Sequence, residues 1–215
     1  MTLHEQLLIL NTFIKDKAGM PKLRIPEYND LLIISNDSLF ERTLKRLKAE
    51  AAELKIKESD YIARNEDLRP FKLTATISLT TGVGTLPSTL VYPIAVNGVY
   101  NTSLRNIEII SEEEKNYRIG NMVAPPIEDY PISIIDTSIR VWPTNVASID
   151  LTYIKQPTKP VYITSVNATS GLNEYSGSST EYEWNEHNHP DLFMEIINLL
   201  GISANTEDIK KYLQR

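Results

Sequence analysis

The chain contains no cysteine. Disulfide staples, thiolate zinc sites and cysteine nucleophiles are therefore excluded. The absence is compatible with a cytosolic origin without proving one. Histidine is nearly as scarce, with three residues, His4, His187 and His189. Basic charge is not in surplus: 22 Lys and Arg face 28 Asp and Glu, for a formal net charge of −6. A protein built mainly to grip phosphates carries a basic excess, so general nucleic-acid binding is disfavoured. No stretch approaches the roughly 20 apolar residues that cross a bilayer. The N-terminal "MTLHEQLLILNTFIKDK" has no basic leader, places Glu5 early and offers no small-residue cleavage site. It reads as an amphipathic helix at the start of a mature chain, not as a signal peptide. There is no GxSxG elbow, and Gly82-Val83-Gly84 is a lone GxG without a P-loop Lys-Ser/Thr.

What is present is 215 residues, 41% hydrophobic and 23% charged. That is ordinary for one or two globular domains with a real core. Leu3, Leu7, Leu10, Phe13 and Ile14 recur at helical steps, and Gly19 and Pro21 stop that helix. Pro26 suits the first turn of a second helix, expected from about residue 27 to about residue 57. Along it Phe40, Leu44, Leu47, Ala51 and Leu54 form a narrow apolar seam, with Glu41–Lys45 and Glu53–Lys57 spaced for pairs on the exposed side. "SNDS" at 35–38 interrupts the apolar pattern and suggests a kink or break. The seam packs privately or faces a neighbouring subunit.

The period then changes to two. "KLTATISLT" puts Leu73, Ala75, Ile77 and Leu79 on one face of a half-buried strand. Further strands are expected at 90–99, 105–110, 132–135, 138–142, 147–156 and 160–165. Closely spaced prolines point to short strands, edges and loops. The Ser, Asn and Gly-rich stretch 165–180 reads as a loop or long hairpin tip. Its Asn167-Ala168-Thr169 matches a glycosylation sequon without a secretory context. Two short helices finish the chain. One begins near Pro190 and carries Leu192, Phe193, Ile196 and Ile197; the other follows Asn205 and carries Ile209, Tyr212 and Leu213. The fold class is therefore α+β, with helical N- and C-terminal segments packed together around an inserted proline-rich antiparallel β domain. The expected domains are 1–66 helical, 67–184 β-rich, and 185–215 helices that pack on the N-terminal ones.

The one stretch that invites a chemical reading is "EYEWNEHNHPDLFMEIINLLG". A hydrolytic zinc site uses three protein ligands, and helical histidine pairs are four apart. His187 and His189 are two apart, and His189 precedes Pro190, which biases it away from helical geometry. "HNHPD" reads better as a helix start, with Pro190 in the first turn and Asp191 against the positive end. The run Glu112-Glu113-Glu114 reads as a solvated turn or first helical turn. No catalytic, cofactor or metal residue is assigned. Two alternatives are carried: a metal-dependent hydrolase using His187 and His189, and a receptor- or glycan-binding module presenting Trp142 or Trp184.

Several phrases form a series: "EDLRPF", "LPSTLVYPIAVNGVY", "IEIISEEEKNYRIGNMVAPPIEDYPISII", "IRVWPTNVASIDLTYIKQPTKPVYI" and "EYEWNEHNHPDLFMEIINLLGI". From about Pro26 onward the chain resembles the head-to-tail connector, or adaptor and ring, proteins of tailed bacteriophages, most of all those of short-tailed, crAss-like phages. The resemblance implies a virion structural protein at the portal–tail junction, present in the host cytoplasm during assembly. It implies a ring of about twelve subunits on the portal, in contact with other connector or tail rings, with DNA passing an acidic lumen without specific binding. It implies no catalysis, no cofactor and no membrane. Candidate subunit-interface residues are Phe40, Leu44, Leu47, Tyr212 and Leu213.

Overall fold

The computed structural model describes residues 2–19, 21–100, 103–120, 125–166 and 173–202. The chain is mixed α+β, and it divides into two compact units. The first combines residues 1–50 with 157–215; the second is 51–156. The helices are α1 (Leu3–Ala18), α2 (Ile25–Leu54), α3 (Glu58–Arg64), α4 (Glu112–Ile119) and α5 (His189–Leu199). The strands are β1 (Lys72–Ser78), β2 (Val83–Gly84), β3 (Leu90–Tyr100), β4 (Ser103–Ile109), β5 (Ile132–Ile135), β6 (Ile139–Trp142), β7 (Ser148–Lys155), β8 (Thr164–Val166) and β9 (Asn173–Tyr175).

In the first unit, α1 opens with a capping box in which the Thr2 hydroxyl accepts from Glu5 N–H and the Glu5 carboxylate accepts from Thr2 N–H. It ends at Gly19, which takes a left-handed φ of 61° and donates its N–H to Lys15 O. Its apolar stripe, Leu3, Leu7, Leu10, Phe13 and Ile14, shares one core with Tyr28 and Leu32 of α2 and Phe193, Ile196 and Ile197 of α5. Phe13 and Phe193 meet edge to face at 6.3 Å.

The break expected at "SNDS" does not occur, because α2 runs through it without interruption. Those polar residues bond outward instead. Asn36 accepts from Trp184 Nε1 at 2.8 Å and donates to Thr158 O at 3.3 Å, and the Ser38 hydroxyl donates to Glu195 at 2.6 Å. Residues 157–184, expected in the β domain, belong to this helical unit. Side chains stitch them there: Glu181 accepts from Leu3 N–H at 2.8 Å and from Tyr175 at 2.6 Å, and the Asn29 amide bonds both ways to the Tyr162 backbone. Residues 51–66 go the other way, into the β unit, where α3 is a helix separate from α2.

The second unit holds a seven-stranded sheet in the order β1-β7-β3-β4-β5-β6-β2. All neighbours are antiparallel except β4 and β5, which run parallel and are joined through α4. The tight turn Thr80–Val83 links the strands at the two ends of this order, and its two central residues, Thr81 and Gly82, have φ of 51° and 78°. Two positive φ values in succession are what a type I′ hairpin turn requires. Glycine at 84 answers to space: a Cβ there would lie 2.6 Å from Ile77 Cγ2 and 2.7 Å from Leu79 Cδ2. The lone GxG thus serves a turn and a close approach. The core lies on one face of the sheet, built on Ile77, Val96, Ile107, Val141, Ile149 and Leu151. The apolar face expected of β1 is covered progressively: Leu73 stays exposed, Ala75 and Leu79 pack half-buried against the core, and Ile77 is buried. Pro93 lies inside β3, between two register irregularities of the β3–β7 ladder and before β4 begins to pair at Val96. A residue without an N–H is tolerated where the ladder is irregular.

Candidate assembly surface

The histidine stretch starts a helix. Residues Glu186–Asn188 form a 3-10 turn that leads into α5, with Pro190 in the first turn and Asp191 beside it. His189 nevertheless has helical φ and ψ of −61° and −37°, against the bias imposed by the following proline. The 3-10 turn already carries the chain into helical geometry there. His189 is half-buried against Tyr182, and that burial pushes its imidazole below the usual value. His187 is exposed. Among the described residues, no group of three or more His, Asp or Glu side chains is arranged to hold a metal ion.

The seam residues lie as follows. Phe40 is 5% exposed, Leu47 is 2% exposed, and Leu44 is half-buried. Side chains as closed off as Phe40 and Leu47 present no surface to a neighbouring subunit without rearrangement, so they do not supply the open apolar seam expected of them. Tyr212 and Leu213, together with the helix expected after Asn205 and the sequon at Asn167, lie outside the described residues. Of the two tryptophans, Trp184 is buried at 4% exposure and bonded to Asn36, which removes it from any sugar-stacking face. Trp142 is half-buried, and Lys115 Nζ lies 5.8 Å from its ring centroid.

Within the seam Leu54 is 57% exposed, and further exposed apolar side chains occur on the β unit. At the end of the β3–β4 hairpin, Val99 and Leu104 are directly paired in register and are 57% and 67% exposed. Arg105, next to Leu104, forms a 2.7 Å ion pair with Asp129. That pair draws in the turn Ile127–Tyr130, whose ends are 46% and 71% exposed. The β unit therefore exposes two large apolar side chains on the hairpin and two on the turn that Asp129 ties to it, with Leu104 and Arg105, as strand neighbours, facing opposite sides of the sheet. Beneath it, the Tyr100 hydroxyl donates to Pro143 O at 3.3 Å; burial, helped by Glu128, pushes that phenol up to about 12. No periodicity argument identifies this end, because alternation along β3 and β4 is read the same way whether the outward residue meets water or a partner.

Two adjoining hollows of about 240 Å³ each lie where α3 crosses β3 and β4, and they share Lys57 and Ile109. One is bordered by Tyr92, whose hydroxyl donates to Glu58 at 3.2 Å and whose phenol burial pushes up to about 12. Neither hollow is lined by a histidine. No protein-family model matches the chain, and no curated protein matches it.

Proposed function

We propose that this chain is a structural subunit of a bacteriophage head-to-tail connector, assembling into a ring at the portal–tail junction through which DNA passes. The observation that carries the reading is the exposed apolar end of the β unit, Val99, Leu104, Ile127 and Tyr130. Several large apolar side chains left exposed on neighbouring elements are candidates for a site of association. The phrase-by-phrase resemblance to connector proteins, which spans most of the chain, supports the same reading. So does the net charge of −6, since an acidic lumen lets DNA slide without holding it. Portal and neighbouring ring or tail proteins are the partners on this reading.

The test is electron microscopy of the full chain mixed with the portal protein from the same genome. A ring of added density below the portal, sharing its rotational symmetry, is the expected result. Portal without added density, under conditions where the chain is folded and also leaves the portal–tail junction of assembled particles unlabelled, overturns it. Elemental analysis for zinc and manganese then addresses the hydrolase alternative directly.

A further inference from the structure

We propose that the free edge of β1 pairs with itself: two copies of the chain join antiparallel along Lys72–Ser78, about a two-fold axis at Ala75, and their sheets continue across the contact. β1 stands at the end of the strand order, with β7 on one side. Among the described residues no strand pairs with its other side. The direction of its backbone groups follows from the turn after it. Leu79 N–H bonds Ala147 O at 2.8 Å, one step past the pair Ser78–Ser148, whereas Thr80 and Val83 exchange both backbone bonds on the side away from β7. Hydrogen-bonded pairs recur at every second residue of an antiparallel ladder. Leu73, Ala75 and Ile77 therefore bond β7, and the N–H and C=O groups of Thr74, Thr76 and Ser78 face away from it. These groups have no backbone partner among the described residues, and all three residues are exposed.

Sheet edges are ordinarily blunted by brevity, proline, a bulge or charge. The opposite end of this sheet follows that rule, because β2 is two residues long. β1 does not. It keeps an unbroken register with β7 over seven residues, contains no proline, and carries its one charge, Lys72, at its first position. Leu73, on the face that packs the core, is left 43% exposed. A row of free main-chain donors and acceptors of this kind takes up another strand.

The sequence of β1 identifies the strand that fits. Lys-Leu-Thr-Ala-Thr-Ile-Ser keeps the same pattern of residue types in both directions about Ala75, apart from its two end residues. In antiparallel pairing centred there, Thr74 of each copy lies opposite Thr76 of the other, as the hydrogen-bonded pairs that the outward groups require. Their side chains form threonine–threonine pairs on the outer face, a favourable cross-strand combination. On the core face Leu73 meets Ile77 of the second copy, which covers the exposed leucine. Ala75 meets its counterpart on the axis, where two small side chains do not clash. The two copies of Lys72 lie at opposite ends, so no like charges face each other. A slip of one residue would set Thr74 against Ala75, whose backbone groups already bond β7, so the register is specified. A two-fold contact closes on two copies and does not propagate around a ring. It is separate from the hairpin end, and the inference does not depend on the ring reading. A contact of seven residues a side is at the small end of specific interfaces, with a dissociation constant on the order of 10⁻⁵ M.

Sedimentation velocity of the full chain, at concentrations spanning that value, is expected to show a reversible monomer–dimer equilibrium. T74K combined with T76K sets lysine directly opposite lysine in both central pairs and is expected to weaken association about tenfold or more. Both positions are exposed, so the circular dichroism melt of that variant checks that the chain stays folded. Cross-linking reads the register independently. The chain has no cysteine, so A75C introduces a single thiol. It meets its counterpart across a non-hydrogen-bonded pair, where a Cα separation of about 4.5 Å suits a disulfide. A75C is expected to form a covalent dimer under mild oxidation. T76C, although more exposed, faces Thr74 of the other copy and is expected to cross-link about tenfold more slowly. A chain that is monomeric at every concentration, a dimer that T74K with T76K leaves unchanged, or equal cross-linking of A75C and T76C overturns the pairing.

Discussion

Lys55 and Gly201 occupy the same position in two copies of one motif. At the end of α2, Ile56 N–H bonds Ala51 O and Lys55 N–H bonds Ala52 O; at the end of α5, Ile202 N–H bonds Ile197 O and Gly201 N–H bonds Asn198 O. Both are the paired bonds of a Schellman cap, whose turning residue is left-handed. The two φ values are 54° and 70°. Glycine adopts that conformation at little cost, whereas a residue with a Cβ loses roughly 1 kcal/mol. Lys55→Gly is therefore expected to hold or raise stability, by up to about 0.5 kcal/mol once glycine's extra unfolded-state freedom is offset. Gly201→Ala is expected to lower it by about 1 kcal/mol. Urea denaturation of the two variants measures both, and a loss on Lys55→Gly contradicts the strain argument. His189 makes a pH prediction. Burial lowers its folded-state pKa below 6.5, so the unfolded chain binds the proton more readily. The stability contributed by the neutral, buried ring is complete above pH 6.5 and is lost as pH falls below it. The melting temperature of the wild type should drop more steeply below pH 6.5 than that of His189→Gln; parallel curves would assign the drop to carboxylates.

Between elements, the contact most open to measurement joins α2 to α5. Glu195 accepts from Ser38 at 2.6 Å and from Arg42 at 3.1 Å, and only 16% of its side chain is exposed. Arg42 is itself more than half exposed, so most of the value lies in the serine bond. Glu195→Ala and Ser38→Ala are each expected to cost about 1 kcal/mol, with a coupling of about 0.5–1 kcal/mol in the double-mutant cycle. Additive losses would mean that the two side chains do not act as a pair. The same contact shows why "SNDS" looked like a break. Ser38 bonds a residue 157 positions away and Asn36 one 148 positions away, distances over which a local pattern carries no signal. The start and stop of α1, the strands β1 and β3 to β7 and the start of α5 were legible, because caps, period and proline act locally; the two-residue β2 read as part of a turn. The separation of α2 from α3 was not legible. Its turning residue is Lys55, which leaves no glycine to mark the end of a helix. Residues 157–184 were grouped with the β domain for a related reason: a local pattern does not name the element that a segment packs on.

For the whole molecule, the question is which apolar residues serve stability and which serve assembly. Spacing left Phe40, Leu44 and Leu47 open between private packing and an interface, since a helical stripe looks the same in either case, and the connector resemblance made them interface candidates. Burial separates the two cases. Phe40 and Leu47 are enclosed, whereas Leu104 and Tyr130 are about two-thirds and nearly three-quarters exposed at the hairpin end. Phe40→Ala and Leu47→Ala are expected to cost about 3–5 and 2–5 kcal/mol of stability, through lost burial and the cavity left behind. Leu104→Ser and Tyr130→Ser remove side chains that are mostly exposed, so each should leave stability within about 0.5 kcal/mol. If that end carries the ring contacts, these two changes leave a folded chain that no longer adds density to the portal. Circular dichroism melting and particle averaging on the same samples read the two outcomes separately. A Leu104→Ser, Tyr130→Ser chain that keeps its melting temperature and still assembles would move the ring contacts away from the hairpin end. A chain that loses both would make the exposed end part of the fold, held by the Arg105–Asp129 pair more tightly than its exposure suggests.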